Sequence, residues 1–309
     1  MAAIDKEVVL QTGTNTLQVR LTSKPGSLLT VTITGTVTVT ITDPPDGSTV
    51  TTNSVLVRGT VEADGEEVGV TVNGFAAAVQ GNTFAFLLPV TPGAITITAV
   101  ATTAAGATAS ESVEITVATP PTPTLTLHAS PASGVAPLTV VFALLGAPVP
   151  TAIDLDLDGD GAVDFSGPTL EGQTFIYPQP GLFFPTVTVT DSQGNQFTGS
   201  TLVQVDDEAA IDALLQAKWT GMKDALGAGD IPLALTHIAF RSRPRYDEAF
   251  RAIEARLPDI DTILTNVTLV EVRNGVATYE ATRTDVGVEK LFDIRFVIDE
   301  DGIWRIEAF

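Results

Sequence analysis

The chain has 309 residues, enough for two or three domains, with 16 basic and 37 acidic residues and a net charge of −21. That balance argues against a general binder of nucleic acid or anionic membrane, both of which need basic patches. With no cysteine, disulfide, thiolate-metal and cysteine-nucleophile chemistry are excluded, and no apolar run approaches the ~18 residues of a membrane span. The charge is uneven: residues 1–205 carry 4 basic and 17 acidic residues, whereas 206–309 carry 12 and 20. The last third is therefore chemically a different module. The start, Met1-Ala-Ala-Ile-Asp, has no signal-peptide pattern, so an extracellular chain of this kind reads as a piece of a longer precursor.

Residues 7–42 are rich in threonine and β-branched residues, with Val31, Ile33, Val37, Val39 and Ile41 on one parity, the pattern of strands. Asp43-Pro-Pro-Asp-Gly-Ser ends the run. Short strands are predicted at Val37–Ile41, Ser54–Val61, Val68–Val72, Ala76–Val79, Thr83–Leu88, Ala94–Ala101 and Ala107–Val117, with Asn73-Gly74 as a hairpin turn. This spacing predicts a sandwich over 37–118.

Three segments, Thr42-Asp-Pro-Pro-Asp-Gly-Ser-Thr-Val, Val55-Leu-Val-Arg-Gly-Thr-Val and Val70-Thr-Val-Asn-Gly, resemble a bacterial immunoglobulin-like repeat. Such repeats occur in large surface proteins and beside polysaccharide-active enzymes. Gly13-Thr-Asn-Thr-Leu-Gln-Val-Arg resembles the penultimate strand of another repeat, matching Gly93-Ala-Ile-Thr-Ile-Thr-Ala-Val of the complete one. Residues 1–36 thus read as the tail strands of a truncated repeat, as strands donated to another chain, or as part of the first sandwich; an incomplete sandwich leaves open edges that recruit strands.

Thr119-Pro-Pro-Thr-Pro123 reads as a stiff linker. The next module, 124–205, contains Asp154-Leu-Asp156-Leu-Asp158-Gly-Asp160-Gly-Ala162-Val-Asp164, a run with no basic residue. So much charge at alternate positions suits a hard cation, and the D-x-D-x-D-G core matches the front of an EF-hand loop. With Asp156 as position 1, Asp158 and Asp160 fall at 3 and 5, the Ala162 carbonyl at 7 and Asp164 at 9. Gly167 stands where the bidentate glutamate belongs, and Thr151–Leu157 reads as a strand. The expectation is a Ca²⁺ loop in a β domain, with Asp154, Asp156, Asp158, Asp160, Ala162 and Asp164 as candidate ligands; the alternative is an acidic turn that serves solubility. Ser130-Pro-Ala-Ser-Gly-Val-Ala-Pro-Leu-Thr-Val-Val-Phe, Tyr177-Pro-Gln-Pro-Gly181 and Val187-Thr-Val-Thr-Asp-Ser-Gln-Gly194, with the aspartate loop, resemble a polycystic-kidney-disease (PKD) domain. The resemblance implies a spacer or binding module. His128, opposite in parity to Leu125 and Leu127, is expected to be solvated.

In 206–309 the period changes. Ile211, Leu214, Leu215, Trp219, Met222 and Leu226 fall at helical spacing, with Asp206 or Asp207 as cap and Gly227 as stop. Further helices are predicted from Asp230-Ile-Pro232 and over Pro244–Leu257. Four strands follow, Val267–Arg273, Val276–Thr284, Lys290–Val297 and Trp304–Ala308, the first two joined by Asn274-Gly275. Trp219 and Met222, Ala228-Gly-Asp-Ile231 and Asp301-Gly-Ile-Trp-Arg-Ile306 resemble the nuclear transport factor 2-like cone, some members of which are isomerases or dehydratases with an Asp/His pair. Here His237 is the one histidine, with no acid at a fixed spacing. Arg241, Arg243 and Arg245 form the one basic cluster, which suits either a carboxylate or acidic sugar or pairing with nearby acids. Phe309 is expected to pack its ring at the C-terminus. No G-x-S-x-G, H-E-x-x-H or phosphate loop is present.

The expected fold is mainly β: tandem immunoglobulin-like sandwiches followed by a smaller α+β cone-like domain. The expected function is a non-catalytic extracellular or cell-surface protein, a calcium-stabilised stalk whose partner is a protein or glycan of a surface or matrix. Self-association through 7–42, an accessory part of a polysaccharide-active enzyme and a cone-fold enzyme are the rival readings.

Overall fold

The computed structural model describes residues 37–119, 125–146, 148–285 and 288–309. The expectations for 1–36 and for the proline linker lie outside these residues.

The first sandwich faces two sheets across one core. One sheet has the order Thr38–Asp43, Ser54–Glu62, Thr83–Pro89, Ala78–Gln80; the other runs Thr49–Val50, Thr108–Val117, Gly93–Thr103, Val68–Val72, Phe75–Ala76. Alternation does the work: Val55, Val57 and Val61 point inward from one strand, while Ile97, Ala99 and Ala101 meet them from the other sheet. Each large apolar side chain so buried contributes ~1.5–3 kcal/mol. Gly59 occupies an inward position because Phe84 fills the space; a Cβ there would lie 2.4 Å from the ring. The single strand predicted over Ala76–Val79 is two. The chain pairs with one sheet at Phe75–Ala76, turns at buried Ala77, and joins the other at Ala78–Gln80. Period-2 patterning marks a strand but not the sheet it pairs with.

The second module packs the sheet Phe165–Gly167, Ala152–Asp156, Thr186–Thr190, Gln196–Ser200 against Thr126–Ser130, Leu138–Leu145, Phe175–Tyr177. Leu127, Val140, Leu155, Val187 and Val189 lie in its core.

In the C-terminal module α1 (Glu208–Gly227) starts at Asp207, whose carboxylate accepts from the Ala210 N–H at 2.9 Å. Asp206 instead belongs to the preceding strand, Val203–Asp206. Asp230 caps α2 (Ile231–Thr236) in the same way. The helix predicted over Pro244–Leu257 stops early: α3 (Arg243–Ala252) gives way to a 3₁₀ turn, Glu254–Asp259, and then α4 (Ile260–Ile263). Pro258 inside that stretch has no N–H to donate to a continuing helix. The helices bury Leu215, Trp219, Met222 and Phe250 against an antiparallel meander, Val267–Arg273, Val276–Asp285, Val288–Ile298, Trp304–Ala308. Asn274 and Gly275, at φ 50° and 72°, supply the left-handed turn joining its first two strands.

The modules do not string out as separate beads. The meander continues through a Gly134–Arg273 pairing into Ser133–Val135, Val203–Asp206 and Gly181–Phe183, so one seven-stranded sheet joins the second and third modules. The Asn274 side chain fixes this joint by accepting from the Ala132 N–H at 3.0 Å. The first sandwich meets the third module where Gly69 and Gly302 touch backbone to backbone; a Cβ on Gly69 would lie 2.2 Å from the Asp301 carbonyl. Beside it, Lys218 of α1 pairs with Glu67, whose other oxygen accepts from the Trp304 N–H at 2.9 Å. Arg58 of the first sandwich lies 5.1 Å over the Phe184 ring of the second. Each module therefore contacts the other two.

Candidate metal centre

The acidic loop leaves the core strand Ala152–Asp156, turns through Gly159 and Gly161 at φ 84° and 91°, and returns at Phe165–Gly167. Both glycines occupy left-handed conformations that side chains disfavour, and Gly159 also lies close under the Phe184 carbonyl. The return brings Asp164 back to the strand end, where its carboxylate accepts from the Leu157 N–H at 2.7 Å.

Asp156, Asp158 and Asp164 each present an oxygen within 4.8 Å of the others, a cluster that can coordinate a divalent cation. Asp156 also accepts from the N–H groups of Gly159 at 2.7 Å and Gly161 at 2.8 Å. Burial works to raise its pKa, but these backbone donors, with that of Asp158, hold the carboxyl below its ordinary value. Asp156 is thus biased toward the ionised form that a hard cation requires. Tyr177 closes its inner side, with its hydroxyl donating to the Leu157 carbonyl at 2.9 Å. Burial, then the charges of Asp164, Asp158 and Asp156, push that phenol up and keep it neutral.

Of the five expected aspartates, the structure brings three together. Asp154 turns to Ser166, whose hydroxyl donates to it at 2.6 Å. Asp160 accepts from the Ala162 N–H at 2.7 Å, forming a local turn. Neither joins the triad. The loop also backs onto Phe184 of its own module, whose N–H reaches the Asp158 carbonyl at 3.4 Å and whose ring lies beneath Arg58 of the first sandwich.

The other candidate residues are spread apart. Arg241 is exposed and lies 3.6 Å from Glu300. Arg243 donates to the Ile238 carbonyl at 3.0 Å and stacks on Phe240, which also carries Arg305. Arg245 lies over Tyr246. Arg305, missed in the sequence, is a buried cation here, held by Asp299 and by both oxygens of Asp301. Only the Asp301-x-x-x-Arg305 spacing hinted at it. His237 packs against Gly221 of α1, and burial together with the positive charges of Lys218 and Arg305 lowers its pKa. Trp219 and Phe250 belong to the core between helices and meander, Trp219 and Phe309 also line a cavity of about 230 Å³ there, and Phe309 stacks on Tyr246 at 4.6 Å. His128 is exposed, as expected.

These features define a multidomain protein of two β-sandwiches followed by a distinct α+β C-terminal domain. More particularly, the family model for glucodextranase, domain B, matches residues 37–119, the first sandwich. No curated protein matches the chain. Among solved structures, a modular endo-β-1,4-mannanase from Cellulomonas fimi is 33% identical over 27% of this chain and 19% of its own, with a TM-score of 0.21. The fibronectin(III)-like modules of Clostridium thermocellum CbhA are 17% identical over 54% of this chain and 95% of theirs, at 0.22. SGBP-B of the Bacteroides ovatus mixed-linkage glucan utilization locus is 15% identical over 55% of this chain and 47% of its own, at 0.21. The chain thus spans about a fifth of the mannanase's length. No helix among the described residues is long and apolar enough to cross a membrane.

Proposed function

We propose that this chain is a non-catalytic accessory region of a secreted polysaccharide-active protein. The observation that carries the reading is the match of its first sandwich to a domain named for a polysaccharide-cleaving enzyme. The second module is PKD-like and the third cone-like, and the three serve as a docked block that grips the polymer of a neighbouring catalytic unit.

The acidic triad holds Ca²⁺, with Asp156, Asp158 and Asp164 as ligands and the Ala162 carbonyl completing the set. Three carboxylates without the bidentate glutamate suit the weak, ~10⁻⁴–10⁻³ M class of extracellular sites, which fills outside the cell. A calcium-stabilised adhesive surface protein is the second reading, favoured by the same triad.

Two measurements test this. Calorimetric Ca²⁺ titration should show saturable binding that Asp158→Ala abolishes; no binding by the parent chain removes the metal. Co-sedimentation with insoluble glucans and mannans should retain the chain; failure on every polymer sinks the accessory reading and leaves the adhesive one.

A further inference from the structure

A groove of about 550 Å³ lies on the seam between the two sandwiches, lined by Phe86 and Leu87 on one side and His128, Ser130 and Thr201 on the other, with Asn274 at one end. A second cavity of about 260 Å³ shares Leu87 and extends along the same seam past Leu56, Thr126 and Ser200. The strand Thr126–Ser130 ties the two together. Its outward parity carries Thr126, His128 and Ser130, all exposed, in one row that faces both cavities.

The chemistry of the walls is unusual for this chain. Its net charge is −21, yet the larger cavity is lined by no carboxylate, lysine or arginine. The smaller has one carboxylate, Asp43, and Arg58 neutralises it at 3.0 Å. What remains is an apolar wall of Phe86, Leu87 and Leu56 opposite hydroxyls, an imidazole and carboxamides. Phe86 is backed by Phe75, stacked at 5.9 Å and 60% exposed, which extends the flat surface outward. A pyranose has the matching two-sidedness: C–H faces that pack on aromatic and aliphatic surface, and a rim of hydroxyls that exchange neutral hydrogen bonds. An acidic polymer is repelled by the chain's overall charge. A basic peptide would find no carboxylate along the larger cavity to seat its cations.

We propose that the seam between the sandwiches is a binding groove for a neutral polysaccharide chain, lying along the Thr126–His128–Ser130 row. This rests on the accessory reading and gives it a site. The groove exists only while the two sandwiches are docked, so neither module alone would show it.

The test uses the full chain in affinity gel electrophoresis with soluble dextran, mixed-linkage β-glucan and galactomannan, and with alginate as the acidic control. At least one neutral polymer should retard the chain, and alginate should not. The His128→Ala/Ser130→Ala variant, at exposed positions, should bind at least tenfold more weakly with an unchanged thermal midpoint. Thr201→Glu, which sets a charge in the neutral wall, should abolish retardation. Equal retardation of parent and both variants overturns the seam while the accessory reading stands. Retardation by alginate in place of the neutral polymers overturns the neutral occupant. If insoluble polymers retain the parent and variants alike, the seam again fails; if nothing retains the parent, the accessory reading falls with it.

Discussion

Replacing Lys218 by methionine tests whether the first sandwich is locked onto the C-terminal module. Lys218 and Glu67 are 10% and 13% exposed, and their contact joins α1 to a loop 151 residues earlier. Methionine keeps the apolar stem and removes the charge. Glu67 would then keep only the Trp304 N–H for a carboxylate shielded from water. Removing one partner of a buried pair costs about 3–5 kcal/mol, because the other charge is left uncompensated. The cost has a ceiling here, since the sandwich can undock and hydrate Glu67. The expected outcome is therefore either a loss of about 3 kcal/mol in urea unfolding or a larger radius of gyration in solution scattering. The Glu67→Gln/Lys218→Met double variant should recover most of the loss, because a carboxamide still accepts from Trp304 without needing a cation. A Lys218→Met cost within about 1 kcal/mol, with unchanged dimensions, would refute the lock and reduce the pair to the value of an exposed salt bridge.

Ca²⁺ at tenfold its Kd should add about 1.4 kcal/mol to stability, so EDTA should lower the calorimetric midpoint by several degrees; Asp158→Ala should erase that difference and Asp160→Asn should keep most of it. Gly69→Ala places a methyl into the Asp301 carbonyl and should cost about 1–3 kcal/mol or open the joint, read by urea unfolding and scattering. For Asp301, burial works to raise the carboxyl pKa, but the hydrogen bonds and charge of Arg305 hold it below its ordinary value. A depressed acid stabilises the fold above its unfolded pKa and loses that contribution as pH falls through the folded one, so acid titration of stability should flatten in Asp301→Asn.

Much was legible in the sequence because it was local. Alternation in Ser54–Glu62 and Gly93–Thr103 fixed which side chains face a core, and Asp207 and Asp230 announced helix starts through their own hydrogen bonds. The acidic loop was visible as a motif because a turn that returns its own chain needs no distant partner. Which aspartates converge was not visible: Asp154 and Asp160 share the spacing but lie outside the triad, Asp154 holding the Ser166 hydroxyl instead.

The sequence by itself therefore determined the mainly β modules, the change to α+β near residue 206, and the acidic loop. Only tertiary structure decided that the modules dock, that one sheet crosses from the second to the third, that Arg305 is buried in an ion pair, and that a neutral seam opens between the sandwiches. The physical reason is range. Strand parity and caps are set by neighbours a few residues apart, whereas Glu67 meets Lys218, and Ala132 meets Asn274, only after more than a hundred residues have folded between them.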